Sequence, residues 1–149
     1  MKNAVRTGVI FGLVLTVFNG SLELLPATLA NLIGILSVAA WILCVGFAGA
    51  TARRRYAEAS PALAAMVVVA VDSLRSTVVK VAVGATAMVP ATSGTLQPVH
   101  LTPGMIVLIN LVIFLVLAPL AAWIGSLGAR LSGSLFGGDP PRARVHAGG

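Results

Sequence analysis

Three ionisable side chains interrupt an otherwise apolar run in "AMVVVAVDSLRSTVVKVAVG" (residues 65–84): Asp72, Arg75 and Lys80. On a helix, Asp72, Ser76 and Lys80 share one face, with Ser73 and Thr77 beside them and Arg75 on the flank. Leu74, Val78, Val81 and Ala82 form the opposite face. A charge near the centre of a bilayer costs about 2.5–3.5 kcal/mol even on insertion scales, so these groups are expected to face protein or water and to find partners. Asp72 and Arg75 are three residues apart and can pair on their own helix. Lys80 lies near the outer end of the run, where a long side chain can snorkel to the interface. Glu23, at the outer end of an earlier apolar run, falls at nearly the same depth, so a Glu23–Lys80 contact is expected. Asn19, Asn31 and Asn110 also fall in the outer halves of apolar runs, which gathers the intramembrane polarity toward one side.

Such a cluster admits three readings. It can be a polar network that fixes helix register, a path for a small solute or ion, or a groove where another membrane subunit supplies matching charges. A geometric alternative lays residues 72–83 along the interface. That alternative would translocate the C-terminal arginines, and the charge distribution disfavours it.

Other chemistry has little support. No Gly-rich phosphate loop and no nucleophile elbow occur, and His100 and His146 stand apart from one another and from any cysteine. The single cysteine, Cys44, has no disulfide partner in the chain and sits in apolar sequence, where packing is its ordinary role. The reading is therefore non-enzymatic, with no cofactor and no metal.

The elements that would hold the cluster follow from composition. Of 149 residues, 58% are hydrophobic and 9% charged; a soluble domain usually carries about 25% charged residues. Four apolar runs approach or exceed bilayer length, at about 7–25, 27–50, 62–89 and 105–125. The expected fold class is an all-α membrane protein, a bundle of four transmembrane helices arranged as two hairpins. Pro26 and Thr28 suggest a turn and a capped helix start, Ser60-Pro61 opens the third span, and "PATSGTLQPVHLTPG" (residues 90–104) reads as a loop. Pro119 is expected to kink the fourth span. Residues 136–149, rich in Gly, Pro and Arg, read as a disordered cytoplasmic tail. The N-terminal run has a basic start like a signal sequence, yet Glu23 and the span that follows favour a retained helix.

The net charge of +6 does not imply nucleic acid, because the basic residues lie at segment ends. Lys2, Arg6, Arg53, Arg54, Arg55, Arg130, Arg142 and Arg144 all fall on one side of a four-span arrangement, and the opposite connections contain no Lys or Arg. The positive-inside rule then puts both termini in the cytoplasm, in the cell membrane.

Small residues suggest how the helices meet. Gly8, Gly12, Thr16 and Gly20 recur every four residues in "GVIFGLVLTVFNG", and Gly46 and Gly49 punctuate "GFAGATA". Such stripes allow close backbone approach, either within one subunit or between copies. "AAWILCVG" (39–46) and "AAWIGSLG" (121–128) share AAWI-x-x-x-G, as two hairpins related by an axis along the membrane normal would, or as chance in alanine-rich sequence would.

With two tight hairpins, "GFAGA" at the end of the second helix and a basic loop after it, the layout resembles the small uncharacterised four-helix integral membrane proteins of prokaryotes. That resemblance covers most of the chain and implies a compact bundle; where those proteins often have Gly in the first turns of the third helix, this chain has "ALAA". The expected role is packing, as a homo-oligomer or an accessory subunit of a membrane complex, with the lipid bilayer as the constant partner. A minimal transporter or channel subunit with a polar path along the third helix is the alternative.

Overall fold

The computed structural model describes residues 1–56, 58–90 and 95–135. The expected tail at 136–149 lies outside the described residues. Four long helices dominate: α1 (Lys2–Leu22), α2 (Ala30–Arg55), α3 (Pro61–Val83) and α4 (Pro103–Leu135). Each is long and apolar enough to cross a membrane. At 1.5 Å per residue, the 21 residues of α1 span roughly 30 Å, the thickness of a hydrocarbon core. The 33 residues of α4 reach roughly 50 Å by the same rise and exceed it.

Local chemistry sets the helix ends. Ser60 accepts the Leu63 amide at 3.2 Å and Pro61 takes the first helical position, as expected of that pair. Thr102 caps α4 in the same way, its hydroxyl accepting from the Met105 amide at 3.4 Å. The start of α2 differs from expectation. A 3-10 turn (Ala27–Leu29) leads in, the cap position is Leu29, and no side chain caps it. At its far end α2 carries Arg53, Arg54 and Arg55 in the last turn, where cations complement the helix dipole.

Two boundaries correct the sequence reading. The third span was expected to reach residue 89, but α3 stops at Val83, where Gly84 adopts a left-handed φ of 83°. Only a residue without Cβ enters that region cheaply. The chain then forms β1 (Ala85–Pro90), which pairs antiparallel with β2 (Leu96–Leu101) from Ala85 opposite Leu101 to Pro90 opposite Leu96. The expected loop is therefore partly a two-stranded ribbon. Its prolines are tolerated because each strand has one free edge needing no donor. The second correction is α4, which runs through Pro119 and on to Leu135, ten residues beyond the expected end at 125.

The core sits where small residues meet. Ala4 and Leu15 of α1, Val45, Ala48 and Ala52 of α2, Ala64, Ala65, Val68 and Val69 of α3, and Ala121 of α4 are buried together. Glycines set the spacing. A Cβ on Gly8 would strike the Ala64 carbonyl and Val67, and one on Gly12 would come within 2.7 Å of Val71 Cβ, so that part of the α1 stripe faces α3. Between α2 and α4, a Cβ on Gly49 would overlap Gly125 backbone, and one on Gly128 would overlap the Gly46 carbonyl. These are backbone-on-backbone crossings, and the glycine shared by the two AAWI segments lies at the contact. Contacts rise together along α1 and α3 (Gly8 on Ala64, Glu23 on Arg75), whereas the two glycine pairs between α2 and α4 (Gly46 on Gly128, Gly49 on Gly125) mark a crossing point.

The outward surface is apolar. Leu13, Val17, Ile35, Phe47, Leu74, Leu115 and Val116 are all more than half exposed, which water would penalise and lipid would not. Leu74, Val78 and Val81 are exposed on the apolar face of α3 that the periodicity marked.

The glycine contacts make a direct prediction. Gly49→Val forces the α2–α4 crossing apart, Gly125→Val forces α4 away from Ala65 and the Pro61 carbonyl of α3, and each should cost about 1–3 kcal/mol or more. Gly34 has open space where a Cβ would go, so Gly34→Ala should be neutral or stabilise by up to about 1 kcal/mol. Thermal unfolding in detergent, followed by far-UV circular dichroism, separates the two cases.

Candidate functional site

The polar side chains of α3 are held by its neighbours on both sides. Toward α1, Arg75 Nη2 lies 2.8 Å from Glu23 Oε1. The guanidinium reaches it across Gly20, where a Cβ would sit 3.5 Å from Nη2. One turn earlier, Asn19 Nδ2 donates to Asp72 Oδ1 at 3.5 Å. Toward α4, the Ser76 hydroxyl donates to Asn110 Oδ1 at 3.5 Å, while Asn110 Nδ2 donates to its own helix at the Ile106 carbonyl at 2.9 Å. Thr77 donates back to the Ser73 carbonyl at 2.8 Å, a bond that keeps a hydroxyl satisfied inside a helix.

This geometry corrects two expected pairings. Glu23 meets Arg75 and not Lys80, and Arg75 reaches across to α1 rather than pairing with Asp72 on its own helix. The reason is angular. Arg75 lies on the α3 flank that faces α1, and Glu23 extends that contact one turn past Asn19. Lys80 is exposed beyond it. Asn31, at the start of α2, is exposed and stands outside the cluster; Asn110 is buried within it.

The ion pair is unevenly covered: the Arg75 side chain is 18% exposed and the Glu23 side chain 58%. Thr16 Oγ1 and Asn19 Oδ1 are buried and have no hydrogen-bond partner among the described residues. Such unpartnered polar atoms are costly in a folded interior, roughly 1–3 kcal/mol each. Together with Asp72 they make the α1–α3 seam rich in acceptors.

Beside the seam, helix packing leaves a groove of about 580 Å³ that opens to the outer surface of the bundle, its rim formed by the exposed Val38, Ile42 and Leu120. Asn19 of α1, Asp72 of α3, Ser37, Val38, Trp41 and Ile42 of α2, and Leu117, Leu120 and Ile124 of α4 line it. The sequence reading had given Ser37 and Trp41 no role here. Their spacing of four placed them on one face of α2, but nothing in sequence put that face opposite Asp72. Among the described residues, no three of His, Cys, Asp and Glu gather as metal ligands would. Gly8, Gly12 and Gly20 of the α1 stripe serve α3 contacts and Gly49 serves α4, while Gly46 meets Gly128 through its carbonyl and has open space where a Cβ would go.

The ion pair should couple Glu23 and Arg75 energetically. In a double-mutant cycle of Glu23→Gln and Arg75→Gln, the interaction term is expected near 1 kcal/mol, modest because Glu23 is more than half solvent- or headgroup-exposed. Lys80→Gln combined with Glu23→Gln should show none. Denaturant unfolding in mixed micelles measures both cycles.

Comparisons with protein families, with curated proteins and with solved structures find no match to this chain.

Proposed function

We propose that the chain is a multi-pass protein of the cell membrane, built as two helical hairpins with both termini cytoplasmic. Its role is non-enzymatic. It acts through helix packing, as a homo-oligomer or as an accessory subunit of a membrane complex. One observation carries this reading: the polar face of α3 is turned onto α1 and α4 through Arg75–Glu23, Asp72–Asn19 and Ser76–Asn110, while the outer surface is left apolar. Such a molecule offers lipid and neighbouring helices a broad hydrocarbon surface. Within α2, only Val45, Ala48, Gly49 and Ala52 are buried, leaving most of that helix available for packing against another protein.

The contacts that rise together along α1 and α3, and the short connection between α1 and α2, support the two-hairpin layout. The exposed Lys2, Arg6, Arg53, Arg54, Arg55 and Arg130 then fall toward one end, which favours that end as cytoplasmic. A solute path along α3 has less support, because Asp72, Arg75 and Ser76 are engaged by neighbouring helices rather than ranged along a continuous channel.

Extraction in mild detergent followed by native mass measurement tests the role. A stable homo-oligomer, or a fixed stoichiometric membrane partner, is expected. A lone monomer under every mild extraction condition would contradict it. Reporter fusions at both ends test the orientation, and activity confined to a periplasmic reporter at either terminus would overturn that part.

A further inference from the structure

The cavity beside the α1–α3 seam has a chemistry that helix packing does not explain. Most of its wall is hydrocarbon, from Leu117, Leu120 and Ile124 of α4 and Val38 and Ile42 of α2. Asp72 is the charged residue that lines it. A carboxylate facing an apolar space is costly without a counter-charge.

Arg75 and Lys80 act on Asp72 through their charge, but among the described residues neither forms an ion pair with it. Arg75 is held by Glu23 at 2.8 Å and does not line the cavity. Lys80 is exposed, eight residues further along α3, or roughly 12 Å by helical rise. Glu23 is itself an anion and takes up the Arg75 charge. The Asp72 carboxylate has the Asn19 amide at 3.5 Å as its one hydrogen bond among the described residues. Asn19, whose Oδ1 is buried with no partner among the described residues, also lines the cavity, as does Ser37. Trp41 completes the wall with an aromatic ring, the side chain best suited to attract a cation over its face.

A metal ion fits poorly, since a single carboxylate among hydrocarbon offers too few oxygens. An anion is opposed by Asp72. A volume of about 580 Å³ falls within the usual range of small-molecule sites, about 300–1,000 Å³. We propose that this cavity binds a lipophilic organic monocation, with Asp72 as counter-ion, Trp41 as the aromatic face, and the α2 and α4 aliphatic side chains as the apolar wall. The site goes beyond the packing role and does not depend on it.

Equilibrium dialysis of the purified chain in neutral detergent, against matched empty micelles, tests the proposal with radiolabelled tetraphenylphosphonium. Saturable binding is expected. Tetraphenylborate, an anion of the same shape, should compete at least tenfold more weakly. Asp72→Asn should weaken cation binding at least tenfold, Asp72→Glu should retain most of it, and Trp41→Ala should weaken it several-fold. Absent saturable binding, equal competition by tetraphenylborate, or unchanged affinity in Asp72→Asn would each overturn the site. The cation–anion comparison uses the unmodified chain, so it decides the matter even if a variant fails to fold. Failure here leaves the oligomer and partner measurements unaffected.

Discussion

Close approach of backbones at the small-residue crossings is the constraint on which the other features rest. Gly49 against Gly125, Gly128 against Gly46, and Gly8 against Ala64 fix the distances between helices more tightly than larger side chains would allow. In lipid there is little hydrophobic gain in bringing two apolar helices together, so van der Waals contact at such points supplies much of the cohesion. The crossings also fix the rotation of α3. With Ala64 and Ala65 buried near its start, the face carrying Asp72 and Ser76 two to three turns later must meet α1 and α4. The charged face is turned inward because small residues further down the same helix have already set its azimuth.

The same packing accounts for the cavity. In α2 the buried residues begin at Val45, and the cavity lining lies before it, at Ser37 to Ile42. In α4 the lining from Leu117 to Ile124 gives way to Gly125 and Gly128, where α2 is in backbone contact. Helices held closely at one level and carrying larger side chains at the next leave space between them. Asp72 opens onto that space, while Arg75, three residues on, is carried round to α1. Polar groups close in sequence thus come to have different surroundings.

Much of this was legible from residue order. The four apolar runs, the Ser60-Pro61 start and the amphipathic character of residues 72–83 all follow from periodicity and cap chemistry. The small-residue spacing in α1 marked a close contact, and AAWI-x-x-x-G marked two segments whose glycines prove to touch. What was not legible depended on which helix stood opposite. Glu23 was matched to Lys80 by depth alone, but the rotation of α3 presents Arg75 to it. The β-ribbon was hidden because Pro90, Pro98 and Pro103 signal a loop, whereas pairing of two free-edged strands is set by the register between them. The end of α3 turned on one backbone angle at Gly84, and apolar composition continues past it.

The central claim is that Asp72, Arg75 and Ser76 of α3 are held against α1 and α4 of the same chain. Cysteines placed at 76 and 110, with Cys44 replaced by Ala, test it most directly by oxidative or short bifunctional cross-linking in intact membranes. An internal cross-link that forms readily and shifts the monomer band is the predicted result. Failure to cross-link, together with modification of Cys at 76 by a lipid-soluble thiol reagent, would place that face against the bilayer and contradict the account.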